Sequence, residues 1–216
     1  MKKNTYPGKL IVAEGLDGSG KSTQMSLTKN WLEIEGYGAC LLKRKNSPLV
    51  SNTIREAKSE KTLIPITYSL IHAADFSDLT NNQIIPALKA GFIVLFNKYI
   101  YTSLAKDYLR GQNKNWVQKI YDFAIEPDLT FHFKIDPEEA LGRMTQEQKE
   151  NDYYDSGMDI GISHNISVSI QKYQSLLSEQ YEIMAKQHKF IPVDCHKSIE
   201  QQQKVIRDSI KELILK

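Results

Sequence analysis

Gly15-Leu16-Asp17-Gly18-Ser19-Gly20-Lys21-Ser22 fits G-x-x-x-x-G-K-[ST] at every fixed position. The apolar run Leu10-Ile11-Val12-Ala13 feeds it, and Leu27, Trp31, Leu32 and Ile34 beyond it predict a helix face. Glycines let backbone N–H groups turn inward around phosphate oxygens where side chains would block approach. A helix beginning there adds partial positive charge. In this setting Lys21 reaches β- and γ-phosphates, and the Ser22 hydroxyl sits on Mg²⁺. The competing reading is a Gly/Ser-rich turn before a helix, and the strand–loop–helix context argues against it.

The rest of the chain offers a scaffold for such a loop. Strand-like segments Lys9–Ala13, Ala39–Lys43, Phe92–Phe96, Leu129–Ile135 and Phe190–Val193 alternate with helical stretches. That order predicts an α/β fold, a parallel five-stranded sheet flanked by helices. Ile64–Ala90 reads as helix, Asp136 as an N-cap before Pro137, and Ile199–Leu215 as an amphipathic terminal helix. The 216 residues suit one domain, 1–216, with a lid insert over 146–165. That insert is polar and carries Gly157 and Gly161; a disordered connector is the alternative. A net charge of +2, with basic residues scattered, predicts no nucleic-acid partner. No apolar run reaches membrane-spanning length. Cys40 and Cys195 read as free thiols, so a cytoplasmic protein is expected.

Other nucleotide-binding classes fit less well. A guanine-reading Asn-Lys-x-Asp fails because Ile100 follows Asn97-Lys98-Tyr99. No Asp-x-x-Gly switch follows the second strand, and a large ATPase needs more residues and an acidic Walker B strand. A small-molecule kinase remains.

Ile11 to Gln24 resembles the opening of thymidylate kinases nearly letter for letter. Further resemblances follow in order: Leu70-Ile71-His72-Ala73-Ala74-Asp75, Ile85 to Val94 before the family's Asp-Arg-Tyr position, Tyr101-Thr102-Ser103-Leu104-Ala105, Pro127-Asp128-Leu129-Thr130, and Pro137 to Arg143. The resemblance implies a P-loop kinase passing a phosphoryl group from ATP to a nucleoside monophosphate, with Mg²⁺, in a homodimer. It assigns ATP to Gly15, Asp17, Gly18, Ser19, Gly20, Lys21, Ser22 and Thr23, with Arg143 near the adenine or the lid base. It gives Asp17 the acceptor sugar or phosphate, and Arg44 the acceptor phosphate, for which a guanidinium fork is suited. A solvated strand-end charge is the other reading of Arg44. Around the acceptor it gathers His72, Phe76, Asn97, Lys98, Tyr99, Thr102 and Arg110.

Four positions depart from the family pattern. Asn97-Lys98-Tyr99 stands where Asp-Arg-Tyr is expected, losing a carboxylate and a bidentate fork. His72 aligns with a base-stacking Phe, and Phe76 with a base-reading Arg. Ser19 fills the variable loop position, and the expected lid carries Lys149 but no arginine. An arginine facing the transition state contributes several powers of ten in nucleotide hydrolases. Lys98, Lys149, Lys106 or Arg110 are the cations able to compensate, Arg110 pointing inward or lying on the surface. Asp152-Tyr153-Tyr154-Asp155-Ser156-Gly157-Met158-Asp159 offers tyrosines to stack on a base, and acids to hold a metal or form an acidic surface. Three functions stay open: a nucleoside monophosphate kinase with dTMP or a related acceptor, a catalytically weakened nucleotide-binding regulator, and a nucleoside kinase using Glu14 or Asp17 as base.

Overall fold

The computed structural model describes residues 1–43, 47–144 and 153–215. Five parallel strands form one sheet: β1 (Lys9–Glu14), β2 (Ala39–Lys43), β3 (Ile93–Asn97), β4 (Leu129–Lys134) and β5 (Ile191–Asp194). Their order is β2-β3-β1-β4-β5. Leu10, Ile11, Val12 and Ala13 are wholly buried, as a strand covered on both faces requires. In register, Ala13 lies beside Asn97, and Glu14 beside His132. The chain leaves β1 where its neighbours diverge, opening a crevice at the strands' carboxyl ends.

Helices α1 (Lys21–Ile34), α2 (Ser51–Ser59), α3 (Pro65–Leu79), α4 (Ile85–Lys89), α5 (Ile100–Leu109), α6 (Lys114–Ile120), α7 (Pro137–Gly142), α8 (Ile166–Gln187) and α9 (Ile199–Ile214) cover the sheet. Ser198 and Gln201 close a capping box at the start of α9. The expected helix Ile64–Ala90 is not uniform. A π-turn, Thr80–Ile84, separates α3 from α4. Pro86 has no N–H to donate and would clash with a regular preceding turn, so the wider turn accommodates it. Asp136 holds the N-cap position of α7, but its side chain makes no cap bond. Ile34, expected on the apolar face of α1, is 84% exposed at the helix end.

Candidate active site

The phosphate loop closes against two other backbones. A Cβ at Gly15 (φ +136°) would lie 2.6 Å from the Phe133 carbonyl oxygen, and one at Gly18 (φ +80°) 2.2 Å from that of Ala140. Only glycine fits either place. Gly20 caps α1 in a left-handed conformation, with no side-chain cap and no acid in the first turn. The first amides of α1 are thus left for an external acceptor.

Lys21 is buried, and its Nζ donates to the carbonyls of Gly15 (2.8 Å) and Leu16 (2.5 Å) and to Ser19 Oγ (3.0 Å). Burial lowers its ammonium to about 8, against the pull of Asp17. Asp17 meets Lys98 at 2.5 Å. Burial favours the neutral acid, but Lys98 and Lys21 outweigh it and hold the carboxyl below its ordinary value. Lys98 reaches Asp17 from a left-handed backbone (φ 64°), while its amide extends the sheet ladder to the Ala13 carbonyl. Ser22 Oγ accepts from Asn97 Nδ2 at 2.8 Å. Asn97 Oδ1 is buried with no hydrogen-bond donor among the described residues.

Beneath the loop, Glu14 is fully buried. Thr102 Oγ1 donates to Glu14 Oε2 at 2.7 Å and lies 2.9 Å from the Tyr181 hydroxyl. Burial raises the Glu14 carboxyl to about 7, despite Thr102 and Lys21. Tyr181 gave no signal in the sequence, because nothing in the spacing of α8 separates it from ordinary core.

A cavity of about 170 Å³ adjoins the loop. Helix α2 gives it Lys58, α3 gives Tyr68 and His72, and α5 gives Thr102, Ser103, Lys106 and Asp107; Lys98 and Asp155 complete it. Tyr68 and His72 meet edge to face at 4.3 Å. A larger cavity, about 410 Å³, lies between the carboxyl end of β4 and α8, on the other side of Leu16. Asp136, Glu182 and Asp194 line it against Lys134 and His196, a poor setting for phosphate.

The expected residues therefore separate. Asp17, Lys98, His72 and Thr102 converge between loop and small cavity, with Asn97 beside Ser22. Phe76 and Tyr99 do not: both are fully buried, packed 5.0 Å apart, with Phe76 also against Phe96, Tyr121 and Phe123. The Tyr99 hydroxyl donates to the Ile125 carbonyl. Aromatic burial takes these rings into the core, so neither lines the cavity. Arg110 points inward, but its donors are taken by Asp159, Tyr173 and the carbonyls of Tyr154 and Lys106. Arg143 lies half exposed at the end of α7, paired with Glu139 at 2.5 Å. Thr23 is exposed on the first turn of α1. Arg44, Lys149 and residues 146–152 of the expected lid lie outside the described residues. Of that lid, 153–165 packs on the fold, with Tyr154 1% exposed.

Comparison with known proteins bears on this arrangement. The family model for thymidylate kinase matches residues 13–206. "Probable thymidylate kinase 2" of Saccharolobus solfataricus is 38% identical over 96% of this chain and 97% of its own. "Probable thymidylate kinase" of Pyrococcus horikoshii is 36% identical over 63% of this chain and 70% of its own. "Thymidylate kinase" of Caldanaerobacter subterraneus is 34% identical over 63% and 68% respectively.

Proposed function

This chain belongs to the thymidylate kinase family and is a nucleoside monophosphate kinase, and on that premise we propose that it transfers the γ-phosphoryl group of ATP to dTMP. The observation that carries the reading is the Asp17–Lys98 bridge, which joins the phosphate loop to a cavity lined by lysines. ATP lies along Gly15 to Thr23, with its phosphates on the loop amides and Arg143 at the rim. Lys21 leaves the carbonyls of Gly15 and Leu16 for phosphate oxygens, which offer full negative charge in place of a dipole. Lys98 holds the acceptor phosphate, and Asp17 keeps that ammonium in place. His72 and Tyr68 flank the acceptor base. Positioning and charge neutralisation suffice, because phosphoryl transfer asks little covalent help.

Mg²⁺ fits the donor set. Ser22 Oγ is a hard oxygen beside the loop, and Asn97, whose Nδ2 now faces it, can offer Oδ1 there once its amide turns; Mg²⁺ takes few protein ligands when phosphates supply the rest. Bound there, it would neutralise charge on the triphosphate. Asn97 offers no negative charge, so Ser22 and Asn97 would hold the metal as neutral ligands, with the phosphates supplying the charge.

The nucleoside-kinase reading is weaker. Glu14 lies fully buried under the loop and already accepts from Thr102. Asp17 is committed to Lys98. The regulator reading draws on Asn97 in place of an acid, Phe76 in place of a base-reading arginine and a lid without arginine, and it gains from the engagement of Arg110 and Arg143 with protein groups. We place the reaction in the cytoplasm, consistent with two free cysteines. We also expect a homodimer, with Ile66 and Leu70 of α3 offering exposed apolar surface.

The test is ADP release from ATP and Mg²⁺ with a panel of nucleosides and nucleoside monophosphates. Turnover with dTMP supports the reading. Turnover with another monophosphate alone replaces the acceptor, ATP binding without turnover favours the regulator, and turnover only with an unphosphorylated nucleoside overturns the proposal.

A further inference from the structure

Helix α5 and its C-cap carry polar side chains every fourth residue: Thr102 and Lys106 in the helix and Arg110 capping it. This spacing stacks them on one face, about 5.4 Å apart per turn. Thr102 binds Glu14 at the root of the phosphate loop. Arg110, with no exposed side-chain surface, grips Asp159 through a two-point fork, Nε to Oδ2 at 2.7 Å and NH2 to Oδ1 at 3.1 Å. Its guanidinium also lies 4.0 Å over the Tyr68 ring. Tyr154, from the same segment as Asp159, accepts from the Leu63 amide at 2.9 Å. The segment 153–160 is thereby fastened at one end to Leu63, just before α3, and at the other to Arg110 at the end of α5.

Between those anchors, Asp155 meets Lys106. Lys58 of α2 stands 4.0 Å from the same carboxylate. Lys106 lines the small cavity together with Lys58 and Lys98, and is close enough to Asp17 to help keep that carboxyl ionised. A largely buried ammonium needs an anion at hand, and Asp155 supplies one. Asp155 keeps about a third of its side chain exposed, so an incoming dianion can share or take over its cation.

We infer that Lys106 binds the phosphate of the acceptor nucleotide and that Asp155, delivered by the clasped segment, is the positioning residue that holds it ready. The inference rests on the reading of the small cavity as the acceptor site. It assigns a role to a lysine one helical turn beyond Thr102, where the acceptor phosphate lies between the transfer end at Lys98 and the base end at Tyr68 and His72.

The test is titration calorimetry of wild type, Lys106→Met and Lys106→Arg with dTMP, with thymidine and with Mg²⁺-ATP. A second protein, Lys106→Met with Asp155→Asn, removes both charges together and avoids stranding the carboxylate. Loss of one charge-assisted contact is expected to weaken dTMP binding about tenfold or more in both Met variants. Thymidine and ATP affinities are expected to stay within about twofold, and Lys106→Arg to recover most of the loss. Unchanged dTMP affinity, or an equal loss for thymidine, overturns the assignment, since thymidine has no phosphate to lose. If the wild type binds a different monophosphate and not dTMP, the substrate reading falls. The same comparison with that monophosphate and its nucleoside then decides Lys106 independently.

Discussion

Lys98 occupies the left-handed backbone region that disfavours side chains, at a cost of about 1–2 kcal/mol. The return is position: its amide completes the ladder to Ala13 while its ammonium swings to Asp17. Glu14 is the second residue under tension, a fully buried carboxyl with one oxygen lacking a donor among the described residues. Its value rises from 4.5 to about 7, so the folded protein binds a proton that the unfolded chain has released. Stability from this group therefore falls as pH rises between those values, by roughly 3 kcal/mol in total. His132 works in the opposite sense: burial lowers it to about 4, and its contribution is lost as pH falls from 6.5. The difference between wild type and Glu14→Gln isolates Glu14. Urea denaturation at pH 5 and pH 7.5 should show the wild type losing stability relative to Glu14→Gln at the higher pH. A constant difference between the two proteins would contradict the buried-carboxyl account.

At the scale of elements, α5 joins three parts of the molecule: the loop root through Thr102, the cavity through Lys106 and the segment 153–160 through Arg110. Arg110→Met would leave Asp159, with 6% of its side chain exposed, as an uncompensated buried charge. Breaking such a pair from one side costs about 3–5 kcal/mol. Limited proteolysis should then cut within 153–165 well before the wild type is cut there. Equal cutting rates would show that Arg110 does not hold the segment. Apolar runs made β1 to β5 legible, with every strand but β2 displaced at one or both ends by a residue. The π-turn was hidden because Thr80–Ile84 keeps helical spacing while changing its hydrogen bonds. Phe76 and Tyr99 were misplaced because the resemblance assigns them by position along the chain, and position cannot say that an aromatic ring standing there turns into the core. The clasp left a trace, Lys106 and Arg110 four apart and Asp155 and Asp159 four apart, but pairing charges across distant segments needs the fold.

For the whole molecule, the sheet order brings the ends of β1 and β3 together, and with them Asp17, Ser22, Asn97 and Lys98. Loop and fold were legible because their residues are local in sequence; the acceptor cavity was not, because α2, α3, α5 and the segment after residue 152 each supply part of it. A ligand that binds only the folded protein stabilises it by mass action, about 2.7 kcal/mol at a hundredfold excess over Kd. Mg²⁺-ATP and dTMP should each raise Tm, and together raise it more than either alone. A rise with ATP and none with any nucleotide monophosphate would place the lysine-lined cavity outside substrate binding.

The most direct measurement is titration calorimetry of Mg²⁺-ATP into wild type and Lys21→Ala. The account predicts a saturable one-site heat for the wild type and a severe loss for the variant, in which the loop keeps its amides and loses its ammonium. No heat of association with the wild type, or equal binding by both proteins, would contradict the phosphate-loop assignment on which the rest depends.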